Sequence, residues 1–153
     1  MVAVSIVRPG EGEVIASGQL QIRILEDGSN TDHRLGIGIL PLPPHMTGPP
    51  QHRHAEHDEG FYVLSGSVRF TIGADDYDVG AGTWVTVPPG APHTFGNVSD
   101  EPAVMLTTFT PDLYVHYFRE IKALVESGQP MNRETMAPIW KNYATEPSTE
   151  FAP

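Results

Sequence analysis

The stretch QHRHAEHDEGFYVLSGSVRFTI, residues 51–72, carries the two signals that set the architecture of this chain. From Phe61 to Ile72 two runs of aromatic and β-branched residues are joined through Ser65-Gly66-Ser67, the pattern of a β-hairpin. Before the hairpin, His52, His54 and His57 fall within six residues, in company with Glu56, Asp58 and Glu59. Residues two apart on a strand share a face, so His52 and His54 project together while Arg53 points away, and Glu59 opens the next strand. Two imidazoles and a carboxylate then converge, the ligand set of a 2-His-1-carboxylate metal site with open positions. The same hydrophilic cluster, set between proline-rich segments, is also compatible with a solvated loop, and the H-x-H spacing alone does not choose between them.

Upstream, Gln19 to Ile24 places an apolar residue at every second position, the period of a strand buried on one face, and Glu26 to Asn30 supplies turn residues. A strand from Gly36 to Leu42 runs into Pro41, Pro43, Pro44, Pro49 and Pro50, which mark its end. Residues 1–17 read as an arm or an edge strand. Downstream, Asp75-Asp76 reads as a turn, Thr83 to Val87 as a strand closed by Pro88-Pro89-Gly90, and Ala103 to Phe109 as the last strand. Many short strands with Gly/Pro turns indicate an all-β sandwich or barrel. At Thr110-Pro111-Asp112 a capping residue, a proline and an acid predict a helix over about 112–127, with Leu113, Tyr117, Ile121, Leu124 and Val125 on its apolar face. A shorter helix follows from Asn132 to Tyr143, weakened by Pro138, and residues from Glu146 read as a loose tail. Without a repeat or a linker, residues 1–153 form a single domain, a barrel over about 18–110 with C-terminal helices over about 111–144.

Composition narrows the chemistry. Nineteen acidic against nine basic residues give a net charge of −10, and the basic residues are scattered, so nucleic acid and anionic membrane surfaces are excluded as partners. The chain has no cysteine, which rules out disulfides, thiolate ligands and a cysteine nucleophile, so any metal must use His, Asp or Glu. No apolar run approaches the ~20 residues of a membrane span and the N-terminus lacks a basic leader segment, so a cytoplasmic location is expected.

With these residues in view the sequence resembles the cupin family, whose two motifs read G-x5-H-x-H-x(3,4)-E-x6-G and G-x5-P-x-G-x2-H-x3-N. His52, His54, Glu59 and Gly66 fit the first, and Gly82, Pro88, Gly90, His93 and Asn97 fit the second, nine of ten fixed positions. Met46 stands where the first glycine belongs, with Gly48 two residues later, and 15 residues separate Gly66 from Gly82. The resemblance implies a double-sheet, jelly-roll-like cupin β-barrel with the helices appended, and one divalent metal ion (Fe, Mn, Ni, Co or Zn) held by His52, His54, Glu59 and His93. Alternation from Glu59 and from His93 places Phe61, Val63 and Phe95 on the ligand face, as an apolar substrate pocket or as barrel core.

Outside the motifs, His57 is expected at the surface, Glu56 and Asp58 in a solvated turn, and His33, His45 and His116 without partners; the helical tyrosines and Arg119 read as packing and solvated face. The neighbourhoods DEGFYVLSGSVRFTIG and FTPDLYVHYFREI are similar to small bacterial proteins described as quercetin 2,3-dioxygenase-like. That similarity implies a metal-dependent dioxygenase acting on a small aromatic or enolic compound, with Glu59 as catalytic proton acceptor. Non-redox cupins (polyketide cyclases, isomerases, lyases) and a binding module without turnover are the alternatives, and a homodimer is expected.

Overall fold

The computed structural model describes residues 3–151. The main sheet holds six strands: β1 (Glu13–Ser17), β2 (Leu20–Asp27), β3 (Gly36–Leu42), β10 (Ala103–Thr110), β5 (Asp58–Ser65) and β8 (Trp84–Val87), in that spatial order. A smaller sheet orders β7 (Asp75–Gly80), β6 (Ser67–Ile72) and β9 (Thr94–Gly96), and β4 (His52–His54) pairs with β11 (Thr145–Pro147). Two helices, α1 (Leu113–Glu126) and α2 (Arg133–Asn142), lie between β10 and β11.

Strict alternation builds the core. β3 and β10 bury every second residue, and their partners across the ladder, such as Leu40 opposite Met105, do the same. The inward side chains of the six-stranded sheet (Ile22, Leu40, Phe61, Met105) and of the smaller sheet (Val68, Phe70, Phe95) form one core. The jelly-roll-like double sheet is therefore present, but among the described residues the ladders form separate sheets instead of one closed barrel.

The hairpin of the motif segment, β5 to β6, turns at Gly66, whose φ of +74° suits glycine and where a Cβ would come within 2.5 Å of the Pro102 carbonyl oxygen. The departure at Met46 also has a physical reading. Met46 is buried, and the close backbone approach falls at Gly48, where any side chain would overlap the Phe95 carbonyl.

Two expectations are corrected. Asp75 and Asp76 start strand β7 instead of forming the turn, which sits at Gly73; Arg69 of β6 holds Asp78 through two 2.7 Å hydrogen bonds and Thr71 donates to Asp76 at 2.6 Å, so cross-strand pairing supports an acidic edge strand. Residues from Thr145 are not a loose tail, because they pair with β4 and Arg53 reaches the Ser148 hydroxyl at 3.2 Å. The N-terminal part forms edge strand β1 only from Glu13, and residues 1–2 lie outside the described residues.

α1 begins one residue beyond its expected start, with Asp112 at the N-cap making no side-chain cap, because its buried carboxylate accepts from His33 at 2.8 Å. Its buried residues are Tyr114, Val115 and Ile121, while Val125 is exposed, so the apolar face is rotated from the expected one to place Tyr114 against the histidine cluster. α1 packs on β1, β3 and β10 of its own domain. α2 is capped by Asn132, which accepts from the Glu134 and Thr135 amides and donates its own amide to Thr135, and the helix runs through Pro138 to Asn142. No helix among the described residues is long and apolar enough to cross a membrane.

Candidate metal centre

Strand β4 has three residues, and its alternation turns His52 and His54 to one side and Arg53 to the C-terminal segment. His93, far along the chain, is fixed to the same strand by a reciprocal backbone pair with His52, at 3.0 and 2.9 Å. Gly90, in the turn before His93, donates its amide to the His54 carbonyl at 2.6 Å. The second motif is thus a clamp that closes on the first. Glu59 enters from β5 between Val87 and Phe109.

These elements bring the three imidazoles to ring separations of 4.7 to 5.0 Å, with ligand atoms of His52, His54 and His93 all within 4.8 Å of one another. The Glu59 Oε2 atom lies 3.0 Å from His54 Nε2 and 2.9 Å from His93 Nε2. His54, Glu59 and His93 are buried and His52 is half-buried.

The remaining ring nitrogens decide what this cluster can hold. His52 Nδ1 donates to the Pro50 carbonyl at 2.8 Å, and His93 Nδ1 donates to the Ala91 carbonyl at 2.9 Å. His54 Nδ1 faces the Thr145 hydroxyl at 3.2 Å. With the protons on Nδ1, the Nε2 lone pairs of His54 and His93 face an acceptor-only carboxylate. Such an arrangement is repulsive unless positive charge is shared between the groups, and a divalent cation held by these residues would supply it. Three nitrogens and one carboxylate, each with its outer nitrogen oriented by a hydrogen bond, suit a divalent transition metal.

The electrostatics agree. Burial pushes the Glu59 carboxyl up, but the adjoining His54 and His93 rings, when they carry positive charge, outweigh it and hold the group well below the usual range, as a carboxylate. His93 is pulled down by burial and raised further by Glu59, with a net upward shift. His52 is lowered to about 3 by burial and then by the neighbouring rings of His93 and His54.

His57 corrects the expectation of a surface residue. It is 2% exposed, packed at a tilt with its ring 4.3 Å from the His54 ring and 4.7 Å from the Tyr114 ring, and among the described residues neither of its nitrogens meets a hydrogen-bonding partner. Its ligand atoms, with those of His54 and Glu59, form a second buried group within 4.8 Å. Burial lowers its pKa from 6.5 to about 4. Between these values the unfolded chain binds a proton that folded His57 does not, so stability is full above pH 6.5 and falls on acidification. His93, with its raised value, acts in the opposite sense and loses stability as pH rises through its folded pKa. From pH 6.5 to 5.0 the His57 contribution amounts to about 2 kcal/mol. In metal-free protein, urea unfolding at pH 7.5 and 5.0 should show the wild type losing about 2 kcal/mol more than His57→Phe; equal losses would remove His57 as the acid-sensitive group.

A cavity of about 540 Å³ opens above the cluster, with His52 and Glu59 in its wall. Ile15, Leu20 and Ile22 of the main sheet, Met46 and Phe95 form one side; Tyr114 and Tyr117 of α1 and Met136 and Trp140 of α2 form the other. Tyr114 and Tyr117 stack at 4.3 Å with nearly parallel rings. Burial raises the pKa of both, so both phenols stay protonated. Of the apolar residues expected around the metal, Phe95 lines this cavity, whereas Phe61 and Val63 lie deeper, in the core against Phe70 and Met105, because the inner face of β5 is covered by the smaller sheet. Glu56 and Asp58 are exposed, and His33 and His45 are hydrogen-bonded to Asp112 and Asp100, each at 2.8 Å. The helical tyrosines and Trp140 carried no signal of a site in the sequence beyond aromatic spacing along a helix, and Thr145 carried none.

Residues 38–109 match the Cupin domain family model. An uncharacterized protein of Streptomyces coelicolor is 30% identical over 81 residues, which cover 53% of this chain and 75% of that protein. One of Aquifex aeolicus is 38% identical over 60 residues, 39% of this chain and 49% of its own length, so the chain spans about half of that relative. Among solved structures, a sugar phosphate isomerase from a cupin superfamily of Silicibacter pomeroyi superimposes with a TM-score of 0.62 at 22% identity, covering 69% of this chain and 75% of that one. The polyketide cyclase of Streptomyces resistomycificus gives a TM-score of 0.63 at 21% identity, covering 71% and 80%. At these identities the shared property is the fold. With both histidine motifs assembled at one point of a double β-sheet, the chain belongs to the cupin superfamily.

Proposed function

We propose that the protein is a metal-dependent cupin enzyme acting on a small aromatic or enolic compound, and that its reaction is dioxygenation. The observation that carries this reading is the cavity of about 540 Å³, apolar and aromatic on its walls and polar where His52 and Glu59 enter it. His52, His54, His93 and Glu59 would hold the ion, one of Fe, Mn, Ni, Co or Zn. Bound there, a divalent metal supplies positive charge that lowers the pKa of an enol or phenol, and an open position for a second small molecule. The aromatic walls orient a flat substrate and exclude water. Glu59, at the edge of the cavity, would take the proton released from the substrate hydroxyl when its carboxylate loosens from the ion.

Non-redox chemistry is the second reading, favoured by the polyketide cyclase and the isomerase among the proteins of similar fold. Oxygen-electrode assays with flavonols and other enolisable aromatics, on protein loaded with Fe, Mn, Co or Ni, separate the two. Oxygen uptake that requires both metal and substrate is the expected result. Turnover without uptake would assign Lewis-acid chemistry, and a ligand recovered unchanged would assign a binding module.

The partner proposed for the outer face is a second copy of this chain. Tyr62 and Leu64 of β5 and Trp84 of β8, the edge strand of the main sheet, are 39%, 45% and 51% exposed, and Tyr62 and Trp84 are ladder partners. Light scattering should give a dimer for the wild type and a monomer for Leu64→Glu; a monomeric wild type at working concentration refutes it. A cytoplasmic location is part of the same proposal.

A further inference from the structure

We infer that Thr145 is a positioning residue for His54, so that the segment following the two helices completes the metal centre from behind. This rests on the reading of His52, His54, Glu59 and His93 as metal ligands. A histidine that coordinates through Nε2 must keep its proton on Nδ1, and the partner of Nδ1 fixes both tautomer and ring orientation. His52 and His93 find that partner two residues back in their own loops, in the carbonyls of Pro50 and Ala91. His54 cannot, because its strand continues the ladder. Its Nδ1 partner is the Thr145 hydroxyl at 3.2 Å, 91 residues away in sequence.

The threonine is built to accept. Its single hydroxyl proton is directed to the Tyr143 carbonyl at 3.1 Å, which leaves a lone pair for His54 Nδ1–H. Thr145 is buried and opposite His54 in the β4–β11 ladder, and the ladder is anchored on both sides. The Ala55 amide donates to the Ala144 carbonyl at 2.9 Å, the Ser148 amide donates to the Gln51 carbonyl at 2.9 Å, and Arg53 holds Ser148, Glu146 and Glu150. Ala144, just before the strand, has a φ of +46°, a left-handed conformation that a non-glycine residue adopts only under constraint. Arg53 thereby acquires a purpose that H-x-H spacing leaves unassigned: it clamps the strand that orients its neighbour.

The Thr145 hydroxyl also lies 3.4 Å from the Tyr114 hydroxyl, and Tyr114 stacks on Tyr117 in the cavity wall. The group that orients His54 is therefore in contact with the surface a substrate would press on.

The test is Co(II) binding by the full-length chain, by competition with a chromophoric chelator and by the visible spectrum of the bound ion, in the wild type, Thr145→Val and Thr145→Ser. Valine keeps the shape and strand preference of threonine and removes the acceptor; serine keeps the acceptor. The expected result is a loss of affinity of about 10–100-fold with a changed spectrum in Thr145→Val, and affinity and spectrum near wild type in Thr145→Ser. A merely structural role predicts equal losses in both variants, and that result overturns the proposal. So does Thr145→Val binding Co(II) as the wild type does. If the wild type itself takes up no Co(II), the ligand reading fails first and this proposal with it.

Discussion

Replacing His93 by alanine is expected to abolish stabilisation of the protein by metal. His93 is buried, bridges to His52 through its backbone and places Nε2 2.9 Å from Glu59. Its loss removes one of the donors and leaves a buried carboxylate with His54 as its one remaining charge-sharing neighbour in the cluster. Breaking a buried charged pair from one side costs about 3–5 kcal/mol, so the metal-free variant should already be less stable than the metal-free wild type. Metal at 100 times its dissociation constant stabilises a folded protein by about 2.7 kcal/mol, which in a domain of this size raises Tm by roughly 5–10 °C. Thermal unfolding with and without Co(II) or Zn(II) should show that increase in the wild type and none in His93→Ala. An equal increase in both would mean that the ion binds elsewhere.

The second large effect is expected at Phe61. It is 1% exposed and packs against Phe70 and Phe95 at ring separations of 5.4 and 5.7 Å, with the His93 ring 6.5 Å away. Phe61→Ala should cost about 3–5 kcal/mol through lost burial and the cavity left behind. That is a large part of the roughly 5–15 kcal/mol by which domains are stable. Urea unfolding measures it. A loss below about 1 kcal/mol would mean that Phe61 lines open space, contrary to its position in the core.

The contrast between Phe61 and Phe95 shows how far the sequence is legible. Period-two alternation orders β3, β5, β6 and β10 because each has one face on the core, and Phe61, Val63 and Phe95 all lie in that core. Alternation reports a face, however, and not the depth at which a residue stops being core and starts being cavity. That boundary depends on what covers the sheet, here Tyr114, Tyr117 and Trp140 from helices beyond the last long strand. The two histidine motifs are legible for a different reason: their glycines and prolines set local backbone turns, and the histidines and Glu59 follow at fixed offsets. His57 shows the limit of local reading. Set between the exposed Glu56 and Asp58, it looks solvated, and it is buried because α1 delivers Tyr114 onto it. Thr145 shows the same limit at longer range, since only the β4–β11 ladder brings it to His54.

The acidic composition and the lack of cysteine retain their weight. They leave nitrogen and oxygen donors as the means of holding an ion, and the structure collects three such nitrogens and one carboxylate at a single point. The C-terminal helices close over that point and turn a cleft into a cavity.

Elemental analysis of the full-length protein, purified without chelator and offered Fe, Mn, Co, Ni and Zn in turn, tests the central claim most directly. About one equivalent of a divalent ion per chain is expected in the wild type. A wild type that retains none of the five ions after desalting would contradict it.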